Sequence, residues 1–330
     1  MALSIGVLGA GHLGKIHMRC LRALPECFEL KGFYDPDAQQ AKHVSDLFGL
    51  TAYGSMEELL DEVEVVDIVT PTVAHFSCAE AAIRRMRHVF IEKPLTQTLE
   101  EGRLLMQLAR EAGIKVQVGH VERFNPAFQT IQPHLKQPRF IEAHRLSLFN
   151  PRGTDVSIVL DLMIHDIDVL LSVVGDGIRK ISASGVCIVS PTPDIANARI
   201  EFYNGCVANL TASRLSMKNM RKMRFFQSDA YLSVDFLSRE SEILRLSAEE
   251  PDTGESATPV DLGPQLGVRW ITHARQTPPE ANAIMEELRL FAEAIQTDNH
   301  PVVGVEAGFR ALEVAFEILA QIEKNESPKE

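Results

Sequence analysis

Lys93, Asp161 and His165 are the side chains of this sequence that could together move a proton and steady an oxygen. Asp161 and His165 stand one helical turn apart in the apolar stretch 157–174, so a carboxylate can support an imidazole on one helix face. Lys93 follows a strand expected at 88–91 and sits at its end. Oxidising an alcohol by hydride transfer requires a base for the hydroxyl proton and a group that orients the oxygen. A carboxylate-backed imidazole and an ammonium meet both needs, and the ammonium also stabilises a developing alkoxide. Each has an ordinary reading when taken alone. Asp-x-x-x-His is commonly a satisfied pair on a helix, and Lys93 could be a surface lysine. Asp166 and Asp168 compete with Asp161 for the imidazole, although Asp168 turns to another face.

Such chemistry needs a hydride acceptor, and residues 4–14, SIGVLGAGHLG, offer a place for one. Ile5, Val7 and Leu8 form a short apolar strand that runs into Gly9, Gly11 and Gly14, a G-x-G-x-x-G match. A helix follows, with Leu13, Ile16, His17, Cys20, Leu21 and Leu24 on one stripe. In this context the glycines allow a tight turn, close approach of a diphosphate and close helix packing. The diphosphate rests on the free N–H groups at the helix start. Asp35 follows Gly14 by about 20 residues, where an acid accepts from the adenosine ribose and repels a 2′-phosphate. The expected cofactor is therefore NAD rather than NADP. An ordinary βα turn is the plainer alternative.

The elements that must position these groups are legible in the pattern. Six apolar strands alternate with helices before residue 120, which predicts a parallel, doubly wound Rossmann domain over 1–120. Ligands of such sheets lie beyond the carboxyl ends of the strands. That rule selects Gly9, Gly11, His12, Leu13, Gly14, Asp35, Thr70, Pro71, His75, Glu92 and Lys93 for cofactor contact. Beyond residue 120 the rhythm changes to consecutive strands, with an Asn204-Gly205 hairpin signal. We expect an α+β domain over 121–330 with a mostly antiparallel open sheet, covered on one face, for substrate binding and oligomerisation. Expected strands are 140–149, 181–189, 196–203, 206–214, 222–227, 231–236 and 243–246. Residues 249–267 read as a loop, and two helices at 279–296 and 306–324 close the chain, with room to pack back on the first domain.

Composition narrows the classes. With 330 residues and 45% hydrophobic content, two cored domains are expected. The net charge of −12 argues against general nucleic-acid or membrane-surface binding. No apolar run reaches a membrane span, no signal peptide is read, and the five cysteines lack metal-site spacing. A cytoplasmic protein without a metal is expected. Against that charge, 202–228 holds no acid but carries Arg214, Lys218, Arg221, Lys222 and Arg224. The run could meet an anionic substrate such as a nucleotide-sugar diphosphate, or form a subunit contact or solvated strand ends.

Gly9-Ala-Gly-His-Leu-Gly14, Asp35, Thr70-Pro-Thr-Val-Ala-His75, Glu92-Lys-Pro94 and Asp161-Leu-Met-Ile-His165 resemble the glucose-fructose oxidoreductase/inositol dehydrogenase (Gfo/Idh/MocA) family. The resemblance covers both halves in order. It implies a Rossmann domain followed by an antiparallel sheet domain that often builds homodimers or homotetramers. It also implies Lys93, Asp161 and His165 as the catalytic group. One departure is Thr154-Asp-Val-Ser-Ile158, where many members carry a glycine cluster before the catalytic helix. Residues 118–126 and 159–168 are similar to one branch, the bacterial UDP-N-acetylglucosamine 3-dehydrogenases, which make a 3-keto sugar nucleotide for lipid A. That likeness adds Arg123 and Asn125 to Arg214, Lys218 and Arg221 as candidate substrate contacts. A dehydrogenase of a free polyol or monosaccharide such as an inositol, and a non-catalytic nicotinamide-binding regulator, are the alternatives.

Overall fold

The structure, a computed structural model, describes residues 1–149, 156–175, 177–250, 257–265, 267–278 and 280–326. It divides into two compact units, Met1–Val121 with Asn282–Glu313, and Glu122–Ala281 with Val314–Glu330. Part of the glycine-cluster departure, Thr154 and Asp155, and residues 251–256 of the expected loop lie outside the described residues.

The first unit runs β1 (Leu3–Leu8), α1 (His12–Arg22), β2 (Phe28–Tyr34), α2 (Ala38–Phe48), β3 (Thr51–Ala52), α3 (Met56–Glu62), β4 (Val65–Ile68), α4 (His75–Arg84), β5 (His88–Glu92), α5 (Leu99–Ala112) and β6 (Val116–Gly119). Its sheet is ordered β3-β2-β1-β4-β5-β6, and every pairing is parallel. The helix starts follow local chemistry. Asp37 accepts from the N–H groups of Gln39 and Gln40, Ser55 from Glu58, and Thr98 with Glu101 forms a full capping box. Apolar residues from β1, α1, β2 and β5 (Val7, Met18, Leu21, Phe33, Phe90) make one core. Leu288 and Phe291, from a helix late in the sequence, complete it.

The second unit adds α6 (Pro126–Ile131), β7 (Phe140–Leu146), a π-helical turn (Val159–Met163) and α7 (Ile164–Val174). Then come β8 (Ile178–Val186), β9 (Ile195–Phe202), β10 (Val207–Ser213), β11 (Met220–Phe226), β12 (Ala230–Asp235), β13 (Glu240–Ser247), β14 (Ala257–Asp261) and β15 (Val268–Gln276). α8 (Ala283–Gln296) belongs to the first unit, and the division between units falls within α9 (Val305–Glu326). The second sheet is ordered β14-β15-β13-β12-β11-β7-β10-β9-β8. It is antiparallel except at β7 and β10, which run parallel as neighbours. Alternate residues such as Ile141, Ala143, Leu210, Phe225 and Leu232 are buried, as a sheet with one covered face requires. Gly205 takes φ +86° in the expected β9–β10 hairpin.

Three expectations are corrected. The loop expected over 249–267 contains β14, whose Pro259 and neighbouring glycines read as loop, and β15 follows it on the strand formers Val268, Trp270, Ile271 and Thr272, which the expected strands do not include. The strand expected to reach residue 149 ends at Leu146. The helix expected from 157 opens as the π turn and becomes α only at Ile164. Apolar periodicity does not distinguish the two hydrogen-bond ladders, and such turns recur at functional sites.

Candidate active site

The glycine loop is built by close approach. Gly9 takes φ +99°, and a Cβ on it would come within 2.8 Å of the Val69 carbonyl oxygen. A Cβ on Gly14 would lie 2.0 Å from the Gly9 oxygen, so α1 packs against the loop only without a side chain there. Gly11 differs, because nothing lies within 4 Å of its Cβ position. That open side of the loop, at the start of α1, is the cradle a diphosphate fits and a side chain would fill. Exposed His12 and half-buried Leu13 open the helix beside it. The Asp35 carboxylate accepts from Ala10 N–H at 2.7 Å and from Asp37 N–H at 3.0 Å, while Gln40 Nε2 donates to the Ala10 carbonyl at 2.7 Å. Asp35 thus holds the loop as well as presenting an acid beside it. Lys42 and Tyr53 line the same hollow as Asp35.

At the end of β4, Thr70 and exposed Pro71 lead into α4. His75 is buried, with Nδ1 2.9 Å from the Pro94 carbonyl and Nε2 2.9 Å from the Thr70 carbonyl. It ties the ends of β4 and β5 together. Burial pushes its pKa down despite those carbonyls. Glu92, expected at the cofactor's edge, turns its carboxylate inward instead. One oxygen accepts from the Lys93 N–H at 3.1 Å and the other lies 3.2 Å from His17 Nε2. Lys93 itself is half-buried, and the Lys93–Pro94 peptide is cis.

In the second unit, Asp161 lies in the π turn and His165 in the first turn of α7, both half-buried. The two rival acids are committed elsewhere. Asp168 takes Arg123 in a two-pronged pair at 2.8 and 3.2 Å. Asp166 takes Arg145 in another at 3.0 and 2.9 Å, and Arg145 Nη1 also donates to Glu122 at 2.9 Å. Burial works against the Arg145 charge, but the two carboxylates outweigh it and hold its pKa above the ordinary value. Asn125 is buried, caps α6, and donates to Glu122 and to the Phe236 carbonyl. Arg214 donates to the Val156 carbonyl at 2.6 Å, 3.9 Å from Asp194. Lys222 pairs with Asp235 and Arg224 with Glu142. The basic run is thus largely matched by acids from elsewhere, leaving Lys218 exposed and Arg221 exposed at 4.0 Å from Glu122.

Sequence reasoning missed His17, Asp67, Glu122, Arg145 and Lys42. His17 reads as one member of an apolar stripe, and Asp67 stands inside one of the six apolar strands before residue 120. A charged residue inside each apolar pattern was the signal available. Among the described residues, no group of three or more His, Cys, Asp or Glu is placed to hold a metal, and no helix is long and apolar enough to cross a membrane.

Comparisons with known proteins agree with this geometry. Residues 3–120 match the oxidoreductase family GFO/IDH/MocA, NAD-binding Rossmann fold, and 129–233 match the GFO/IDH/MocA C-terminal domain. UDP-N-acetylglucosamine 3-dehydrogenase of Acidithiobacillus ferrooxidans is 35% identical over 319 residues, 96% of each chain. A solved structure of that enzyme superposes with a TM-score of 0.87 at 33% identity, over 98% of this chain and 99% of the other. A scyllo-inositol 2-dehydrogenase (NAD(+)) of Bacillus subtilis is 28% identical over 228 residues, 64% of this chain and 67% of its own. The chain belongs to the GFO/IDH/MocA oxidoreductase family, and its first unit carries that family's NAD-binding Rossmann domain.

Proposed function

We propose that the protein oxidises a secondary hydroxyl of a nucleotide sugar, UDP-N-acetylglucosamine at C3, as an NAD-dependent dehydrogenase. The observation that carries this reading is the 35% identity to an enzyme of that name across 96% of both chains. NAD, held by Gly9 to Gly14 and Asp35, supplies the hydride acceptor. The chain's own groups do the rest. Lys93 donates to the substrate hydroxyl oxygen and stabilises negative charge as it develops. His165 takes the hydroxyl proton, since an imidazole changes protonation near neutral pH, while Asp161 orients the ring. As the C3–H bond breaks with its electron pair and the O–H bond releases its proton, a C3 carbonyl forms. Lys218 and Arg221 are read as contacts for the diphosphate, with Arg123, Asn125 and Arg214 as further candidate substrate contacts.

The product, a 3-keto sugar nucleotide, suits amination in the assembly of lipid A. The half-covered second sheet is read as a subunit interface of a homodimer or homotetramer in the cytoplasm, which light scattering at micromolar concentration checks. A free polyol is the second reading, favoured by the 28% identity to an inositol dehydrogenase. NADH formation on a panel of UDP-sugars, monosaccharides and inositols separates them. UDP-N-acetylglucosamine turning over faster than every free sugar is expected, and an inositol preferred over all UDP-sugars overturns the proposal.

A further inference from the structure

The mechanism above gives no task to His17, a buried titratable group of the first unit. His17, on α1, is fully buried, as is Asp67 on β4, and Glu92 at the end of β5 is 8% exposed. Nδ1 of His17 lies 2.9 Å from Asp67 Oδ2, and Nε2 makes an ion-pair approach of 3.2 Å to Glu92 Oε1. Ionised carboxylates only accept, and a neutral imidazole has a single N–H. Nδ1 hydrogen-bonds Asp67, whereas Nε2 faces Glu92 without hydrogen-bond alignment, so the ring offsets both ionised carboxylates only through the positive charge of the imidazolium. Without that positive charge, two carboxylates would share a site closed by Phe90 and Phe291, at a large desolvation cost. The other ionisable groups around it are Cys20 on α1, and Lys93 and His75, which act on Glu92. Burial alone lowers the pKa of His17, but Asp67 and then Glu92 carry it well above the usual imidazole range.

The second Glu92 oxygen accepts the Lys93 backbone N–H at 3.1 Å. The carboxylate is also slotted against β6, because a Cβ on Gly119 would lie 2.9 Å from its carbon. Asp67, His17, Glu92 and the Lys93 backbone thus form one continuous chain of polar contacts.

We propose that His17 is a positioning residue, protonated at neutral pH, whose imidazolium clamps Glu92 so that Glu92 fixes the backbone of Lys93. Its functional half rests on the assignment of Lys93 to the reaction; its structural half does not. Neutralising the clamp frees the Glu92 carboxylate to turn, and the lysine loses its fixed base.

The test is ¹⁵N-histidine NMR of the full chain across neutral and alkaline pH, with His17→Gln assigning the resonance. Both His17 nitrogens should keep imidazolium shifts above the ordinary histidine midpoint of about 6.5. Glu92→Gln should lower that midpoint by about one unit or more. A neutral His17 ring at pH 7 overturns the proposal, including the case where Asp67 holds the proton. In turnover, His17→Gln and Glu92→Gln should lower kcat about tenfold with KM for NAD kept within about twofold, and should shift the basic limb of the pH profile. Unchanged kcat and pH profile with an intact imidazolium overturns the positioning role. If His17→Gln does not fold, Asp67→Asn serves both measurements, since it keeps the shape and removes one charge. Should no sugar be oxidised, the function proposal fails while the NMR still decides the protonation state.

Discussion

Each unit buries one cation between two carboxylates, directly beside a residue proposed for the reaction. In the first unit His17 lies between Asp67 and Glu92, and Lys93 follows Glu92. In the second Arg145 lies between Glu122 and Asp166, and His165 precedes Asp166. The cations differ in kind. A guanidinium cannot release its proton in a protein, and its planar fork grips Asp166 by two bonds while still reaching Glu122. An imidazolium can release its proton, and it reaches each carboxylate by a single nitrogen. The second cluster therefore keeps its cation over any ordinary pH, and only its acid side is exposed to titration, because burial raises the pKa of Asp166. The first is a strut only while protonated. The lesson is that equal charge counts do not make equal supports.

The largest expected effects lie next to the clusters, in the groups that would touch substrate. His165→Ala and Lys93→Ala should each cut turnover about 10²–10⁴-fold, the range of general acid–base catalysis, and NAD titration should find binding intact. Near-normal turnover in either variant breaks the parallel between the two units. Next comes Arg145→Met, which strands Glu122 and Asp166 without their cation. Removing one partner of a buried ionic group costs about 3–5 kcal/mol, and urea unfolding should report a loss of that order. A loss under about 1 kcal/mol, the worth of a surface pair, shows that the strut carries no load.

The clusters also mark what could be read from sequence. The six-strand alternation and the glycine loop were legible because each signal is local: strand, turn and helix periods, and caps such as Thr98 with Glu101. The catalytic candidates were legible as motifs. The partners of those motifs were not, because Asp67 and His17 meet across 50 positions and Arg145 and Asp166 across 21. Asp166 could be mistaken for a partner of His165 until Arg145 was seen to hold it. The π turn before Ile164 and strands β14 and β15 escaped for other reasons. Apolar periodicity does not separate a π turn from an α turn, Pro259 and the glycines around β14 made it read as loop, and β15 shows its register only once it pairs with β13 and β14.

A pH series sharpens the contrast further. His17 holds a proton in the native state that the unfolded chain loses above about pH 6.5, so its contribution is fully present below that pH. It is lost as pH rises through the raised native value. Glu92 has the opposite sign. Burial raises its pKa but His17 and Lys93 bring it below the ordinary value, so its contribution is present above 4.5 and lost as pH falls through the native value. Thermal melts should show stability declining on the alkaline side, less steeply in Glu92→Gln. The same slope in both proteins breaks the account of the first cluster. A smaller effect concerns the cofactor. Asp35 should favour NAD over NADP by about tenfold, ~1.4 kcal/mol, and Lys42→Ala should widen the gap, since Lys42 lines the same hollow. Equal affinities measured by titration count against that role for Asp35.

The smallest effects separate paired cations from exposed ones in the second unit. Lys222 and Arg224 already face Asp235 and Glu142, so their charges are largely spent within the sheet. Their alanine variants should lose under about 1 kcal/mol of stability, as exposed pairs do. They should leave KM for UDP-N-acetylglucosamine unchanged. Lys218 is exposed, and Arg221 stands 4.0 Å from a Glu122 that Arg145 has already engaged. These two have charge left for a diphosphate. Lys218→Ala and Arg221→Ala should raise KM about three- to tenfold at constant kcat, because a contact made equally in ground and transition states changes binding alone. Added salt should shrink that difference, as screening weakens exposed charges first. If Lys222 or Arg224 matters more than Lys218 or Arg221, the diphosphate is not read by the cations the fold leaves over, and the basic run serves the sheet alone.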